Sequence, residues 1–177
     1  MERIVGRVAP DFKMTAMSGD GSKELTVSLK DYAGKWLVLF FYPLDFTFVW
    51  PTELKAFSER YDEFKECRAD VLGVSIDSHF THAAWIKDGL GELKFPLASD
   101  LTHEVSKNYG VYIEDFGASQ RGVFIIDDES VIRYVSVSDL GAGRDIDSVL
   151  NTLKAAQQAK AGKLVPANWK EGKDFLN

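Results

Sequence analysis

The residues best placed to do chemistry lie in one run, Phe41-Tyr42-Pro43-Leu44-Asp45-Phe46-Thr47-Phe48-Val49-Trp50-Pro51-Thr52-Glu53, which leads from an apolar stretch into an amphipathic one. In α/β proteins the carboxyl end of a buried strand is where sites form. The helix that follows offers unpaired N–H groups and the positive end of its dipole. Such a turn is a seat for a thiolate or a bound oxyanion. The residue standing there is Trp50, which donates one N–H and has no nucleophilic atom. The single cysteine, Cys67, follows Lys65 and Glu66 near a helix end, with no strand-to-helix turn to activate it. It reads as a structural thiol. His79 and His82 have the spacing of a helical pair, but no third ligand lies at readable spacing, so they read as packing residues and not as a metal site.

The elements that must position this run are an alternation of β-rich and amphipathic segments. Trp36–Tyr42 is a near-continuous apolar run, the pattern of a strand buried on both faces. Val71–Ile76 reads as a second strand. Val123–Ile126 and Val131–Val137 read as a hairpin around the acidic turn Asp127–Ser130. From Pro51 to Arg68 apolar residues recur at Leu54, Phe57, Tyr61 and Phe64, which predicts one helix with one buried stripe; Pro51 suits its first turn. Further helices are predicted over His79–Asp88, over Thr102–Tyr109 with Gly110 as a left-handed stop, and from an Asp145 N-cap to Gly162, burying Ile146, Val149, Leu150 and Leu153. Strands alternating with crossover helices imply an α/β domain with a central mixed sheet, arranged in a thioredoxin-like order. Residues 1–162 read as that domain. Residues 163–177 have little periodicity and read as an appended tail, with Pro166 and Trp169 in it.

Composition bounds the function. At 177 residues one full core is available without staples, and a net charge of −6 argues against a nucleic-acid or anionic-membrane binder. One cysteine excludes an intrachain disulfide. The opening Met1–Arg7 lacks the apolar core of a secretory leader, and the longest apolar run is too short to span a bilayer, so a cytoplasmic domain is expected.

The Phe41–Glu53 run closely resembles the active-site segment of typical two-cysteine peroxiredoxins, of the type that serves as the peroxidase component of bacterial alkyl hydroperoxide reductase. Their motif is proline, three residues, threonine or serine, two residues, cysteine. Pro43, Thr47 and position 50 match it, with Trp50 in the cysteine's place. The resemblance extends through Ala9-Pro10-Asp11-Phe12, Asp77–Trp85, Arg121–Asp127 and Val165-Pro166-Ala167-Asn168-Trp169. In the family the last of these begins with the resolving cysteine; here it begins with Val165. Asp88-Gly89-Leu90-Gly91 resembles the loop of members sensitive to over-oxidation, whose C-terminal Tyr-Phe element is not in this chain.

The resemblance implies a thiol peroxidase for hydrogen peroxide and alkyl hydroperoxides that needs no cofactor or metal, since the cysteine is the redox centre. It implies that Arg121 lowers the thiol pKa, Thr47 bonds the peroxide, Pro43 shields the oxidised sulfur, and Glu53 orients an arginine, with Arg144 a candidate second one. It also implies dimers joined into a decamer, and reduction by a thioredoxin-like or flavoprotein partner. With both redox positions changed and the supporting residues kept, this chain is expected to be inactive. Deliberate replacement is the favoured origin, a natural pseudoenzyme the alternative. A non-enzymatic ring with a chaperone or scaffold role is the competing function.

Overall fold

The computed structural model describes residues 3–47 and 50–176, with the side chain of Trp50 outside that description. The chain forms two compact units, Met1–Arg144 and Asp145–Asn177. In the first unit the strands are, in chain order, β1 (Lys13–Met17), β2 (Glu24–Ser28), β3 (Trp36–Phe41), β4 (Ala69–Ser75), β5 (Leu97–Ser99), β6 (Tyr112–Ile113), β7 (Ala118–Ser119), β8 (Arg121–Ile126) and β9 (Ile132–Ser138). Seven of them make one mixed sheet ordered β2-β1-β5-β4-β3-β8-β9, while β6 and β7 pair separately. β3 runs parallel to β4 and antiparallel to β8. This is the thioredoxin-like arrangement with a central mixed sheet that the sequence predicts.

Every residue of β3 is buried, as a strand covered on both faces requires. Its side chains alternate between two cores. Leu37, Leu39 and Phe41 join Tyr109, Val111, Phe124 and Ile126 on one face. On the other, Phe40 stacks on Phe57 at 4.4 Å, with Phe95 edge-on at 5.7 Å. Burying a side chain such as Phe57 contributes about 1.5–3 kcal/mol, so this stack ties the helix that carries Phe57 to the strand that leads into the site.

The helices depart from expectation in three places. The predicted Pro51–Arg68 helix is two, α1 (Trp50–Glu59) and α2 (Tyr61–Glu66). Arg60 separates them at φ −91°, ψ 4°, yet the buried stripe survives, because Phe57 and Phe64 still meet at 5.9 Å. The helix predicted over His79–Asp88 is regular only through α3 (His79–Trp85); a wider turn follows, and Asp88 and Gly89 leave helical geometry. The Thr102–Tyr109 helix shrinks to α4 (Glu104–Asn108), because His103 is left-handed at φ 61°. Its first amides are capped from farther upstream, where the Asp100 carboxylate accepts from the N–H groups of Val105 and Ser106. Gly110 does take the left-handed stop, at φ 69°.

In the second unit, α5 (Ile146–Lys160) starts where predicted, with Asp145 accepting from the N–H groups of Asp147 and Ser148. Ile146, Val149, Leu150 and Leu153 are buried. The tail is more organised than its sequence pattern predicts. Leu164 pairs with Leu176, Trp169 stacks on Phe175 at 5.6 Å, and the Trp169 indole donates to the Lys173 carbonyl. Among the described residues, no helix is long and apolar enough to cross a membrane.

Candidate active site

Three of the residues singled out by sequence come together as one buried charge cluster. Glu53, in the first turn of α1, is 4% exposed, and Arg121, at the head of β8, is wholly buried. The Arg121 guanidinium lies 3.0 Å from Glu53 Oε1 and donates to the Leu140 carbonyl at 2.6 and 3.0 Å. Arg144 grips the same carboxylate with its Nε and a terminal nitrogen, at 3.1 and 2.9 Å. Its remaining terminal nitrogen donates to the carbonyls of Phe41 and Gly122. One carboxylate thus holds two guanidiniums beside the C-terminal end of β3. Burial pulls both arginine pKa values down from their ordinary level, and Glu53 opposes that pull. The cluster carries one net positive charge close to the start of α1, which suits an anion there.

Between β3 and α1 the loop itself is pinned. Pro43 is buried, Phe46 sits at φ 54° with its ring exposed, and the Thr47 hydroxyl reaches the Leu44 carbonyl at 3.5 Å. Asp45 anchors this loop. Its carboxylate accepts from the Tyr42 hydroxyl at 2.9 Å and meets His82 Nδ1 at 2.6 Å, and its N–H donates to Asp77 Oδ2 at 2.7 Å. His82, fully buried, turns its other nitrogen to the Ala98 carbonyl at 3.2 Å. Burial and the neighbouring Asp45 push the Tyr42 hydroxyl pKa well up.

The predicted residues therefore fall into separate places. Glu53, Arg121 and Arg144 are in direct contact, and Pro43 and Thr47 lie on the pinned loop. Trp50 opens α1, but its side chain, with Phe48 and Val49, lies outside the described residues. Val165 belongs to the second unit, beside the Leu164–Leu176 pair. Both nitrogens of His82 have partners inside the fold, and His79 Nε2 lies 3.2 Å from a Glu24 carboxylate oxygen. Cys67 caps the end of α2, half-buried.

Sequence reasoning missed the Tyr42–Asp45–His82–Asp77 network. All four residues stand in segments already singled out, yet Asp45 and His82 are 37 positions apart, and only the crossover through β4 brings them together.

Residues 5–135 match the AhpC/TSA family. The chain belongs to that family. Other AhpC/TSA proteins resemble it along nearly their whole length. A protein of Clostridium pasteurianum described as a putative peroxiredoxin in rubredoxin operon is 51% identical over 99% of this chain and 100% of its own. Peroxiredoxin-1 of Gallus gallus is 47% identical over 98% of this chain and 89% of its own. The reduced 2-Cys peroxiredoxin of Plasmodium vivax superposes with a TM-score of 0.94 at 39% identity, covering 98% of this chain and 93% of that one. AhpC of Enterococcus faecalis superposes with a TM-score of 0.88 at 34% identity, covering 93% and 99%. This AhpC/TSA chain has the peroxiredoxin fold, and its relatives support a thiol peroxidase function.

Proposed function

We propose that the protein is a typical two-cysteine peroxiredoxin scaffold of the bacterial alkyl hydroperoxide reductase type. It carries tryptophan at the peroxidatic position and valine at the resolving position, and it does not turn over peroxide. The observation that carries this reading is the buried Glu53–Arg121–Arg144 cluster, met at the first turn of a helix whose residue 50 has no sulfur. With cysteine at that position, a thiolate attacks one peroxide oxygen, the O–O bond breaks, the sulfur becomes a sulfenic acid, and the departing oxygen takes a proton. Arg121 favours the thiolate, the Thr47 hydroxyl bonds the peroxide, and Pro43 covers the site. The thiol of a cysteine at position 165 of a partner protomer then attacks the sulfenic sulfur, the S–O bond breaks, water leaves and a disulfide forms, which a thioredoxin-like or flavoprotein reductase reduces. Neither sulfur is present, so neither step has its atoms.

The edge of the sheet supports a reading of the assembly. β9 lies at that edge with Val137 exposed; its first residue, Ile132, already bonds Gly6 and Arg7, and the strand beyond it is a template for pairing. We infer that β9 pairs with its copy in a dimer, and that dimers join into a decamer. Phe46 and Phe80, 55% and 72% exposed, favour a second reading in which such a ring holds clients or acts only as a scaffold.

Single-turnover peroxide consumption by Trp50→Cys, with the given chain as control, tests the reading. The expected result is rapid loss of one peroxide per protomer and a trappable sulfenic acid, with no reaction in the control. Reactivity no greater than that of a free thiol overturns the peroxidase reading and puts the non-enzymatic one ahead.

A further inference from the structure

We propose that Asp77 is the positioning residue of the peroxide loop: it holds the Asp45 N–H and thereby sets where Pro43 and Thr47 stand over position 50. The inference rests on the peroxidase reading of that loop and adds to it a residue outside the motif.

After Tyr42, whose N–H still bonds the Val74 carbonyl, the described part of the loop is held at Asp45 by side-chain anchors. The Asp45 carboxylate is fastened by Tyr42 and His82, which leaves the direction of its peptide plane to its N–H. That N–H donates to Asp77 Oδ2 at 2.7 Å. Asp77 is itself rigidly mounted. Its own N–H donates to the Ser75 hydroxyl, at the end of β4, at 3.1 Å. Its carbonyl accepts from the Ser99 hydroxyl, at the end of β5, at 2.6 Å. Ser75 is fully buried and Ser99 nearly so. The carboxylate therefore transfers the position of two sheet strands to the loop through one charge-assisted bond.

Holding a carboxylate here has a cost, because the site is half-buried and faces the Asp45 carboxylate. Burial first, and then Asp45, push the Asp77 pKa up, while the bond from the Asp45 N–H and the nearby His82 oppose that rise. What the position requires is an acceptor aimed at the Asp45 N–H, and the amide oxygen of asparagine supplies one. Alanine removes it and leaves the backbone bonds to Ser75 and Ser99 in place.

Two measurements test the proposal. The first uses the chain as it stands and reads amide hydrogen exchange at Asp45. Asp77→Ala should accelerate exchange there about tenfold or more, while Asp77→Asn stays close to the parent; unchanged protection in Asp77→Ala overturns the proposal, whatever the chemistry at position 50. The second adds the same changes to Trp50→Cys and compares the peroxide rate with the pH profile of iodoacetamide alkylation. Misplacing reacting groups by about 1 Å costs about a hundredfold. Asp77→Ala should therefore slow the peroxide reaction about ten- to a hundredfold with the alkylation profile unmoved, and Asp77→Asn should restore the rate. Equal losses in both reactions, or no rescue by Asn, overturn it. An inactive Trp50→Cys parent counts against the peroxidase reading, while the exchange measurement still decides whether Asp77 holds the loop.

Discussion

Glu53 is the residue on which the candidate site turns. Its two carboxylate oxygens face two guanidiniums, and the three side chains are at most 6% exposed. Buried pairs of this kind add little net stability when whole, since desolvation offsets their attraction, but removing one partner strands a charge. Glu53→Gln makes the case severe, because the new NH2 group must point a donor at one of the arginines. The expected loss is about 3–5 kcal/mol, read from urea denaturation of the parent and the variant. A loss below about 1 kcal/mol would mean that water reaches the arginines in place of the carboxylate. The three members were legible in the sequence only as parts of a motif. The resemblance implied that Glu53 orients an arginine, but not that one carboxylate holds both, because Glu53 and Arg144 are 91 positions apart and meet across the end of the sheet.

For the elements, legibility followed burial. β3, β4, β8 and β9 carry apolar runs long enough to read directly, whereas β1 and β2 alternate apolar residues with Lys13, Thr15, Glu24 and Thr26, and β5 has three residues. Helix starts were misjudged where the cap is not the adjacent residue, as at Asp100 before α4. α1 carries the element-scale consequence of Trp50. In the proposed peroxiredoxin reading an indole stands where a far smaller thiol would, and overpacking costs about 1–3 kcal/mol, which the first turns of α1 must bear. The backbone is helical from Trp50 onward, and Leu54 and Phe57 are fully buried. Amide exchange over Leu54–Ser58 should then be slow, comparable to that of β3. Loop-like exchange there would show that the first turns unwind, and the account of a wound α1 start would fall.

At the scale of the whole molecule, the sheet ends in two different edges. β2 is short, with Glu24 and Thr26 turned toward solvent, which blunts it. β9 is longer and mostly half-buried, with Ile132 buried and Val137 45% exposed. Its partner strand β8 is buried throughout, so beyond Ile132, which bonds Gly6 and Arg7, an apolar part of the sheet lies next to the edge. A copy of β9 laid antiparallel would satisfy that edge and cover Val137. A charge at that spot must be desolvated for the pair to form, and it would lie close to its own symmetry mate. Val137→Asp should therefore shift the mass seen by light scattering after size exclusion from an even multiple of 19.8 kDa toward a single chain, with the far-ultraviolet spectrum unchanged. If the assembly keeps its mass with aspartate at 137, its contacts lie elsewhere, and the exposed rings of Phe46 and Phe80 become the surface to change next.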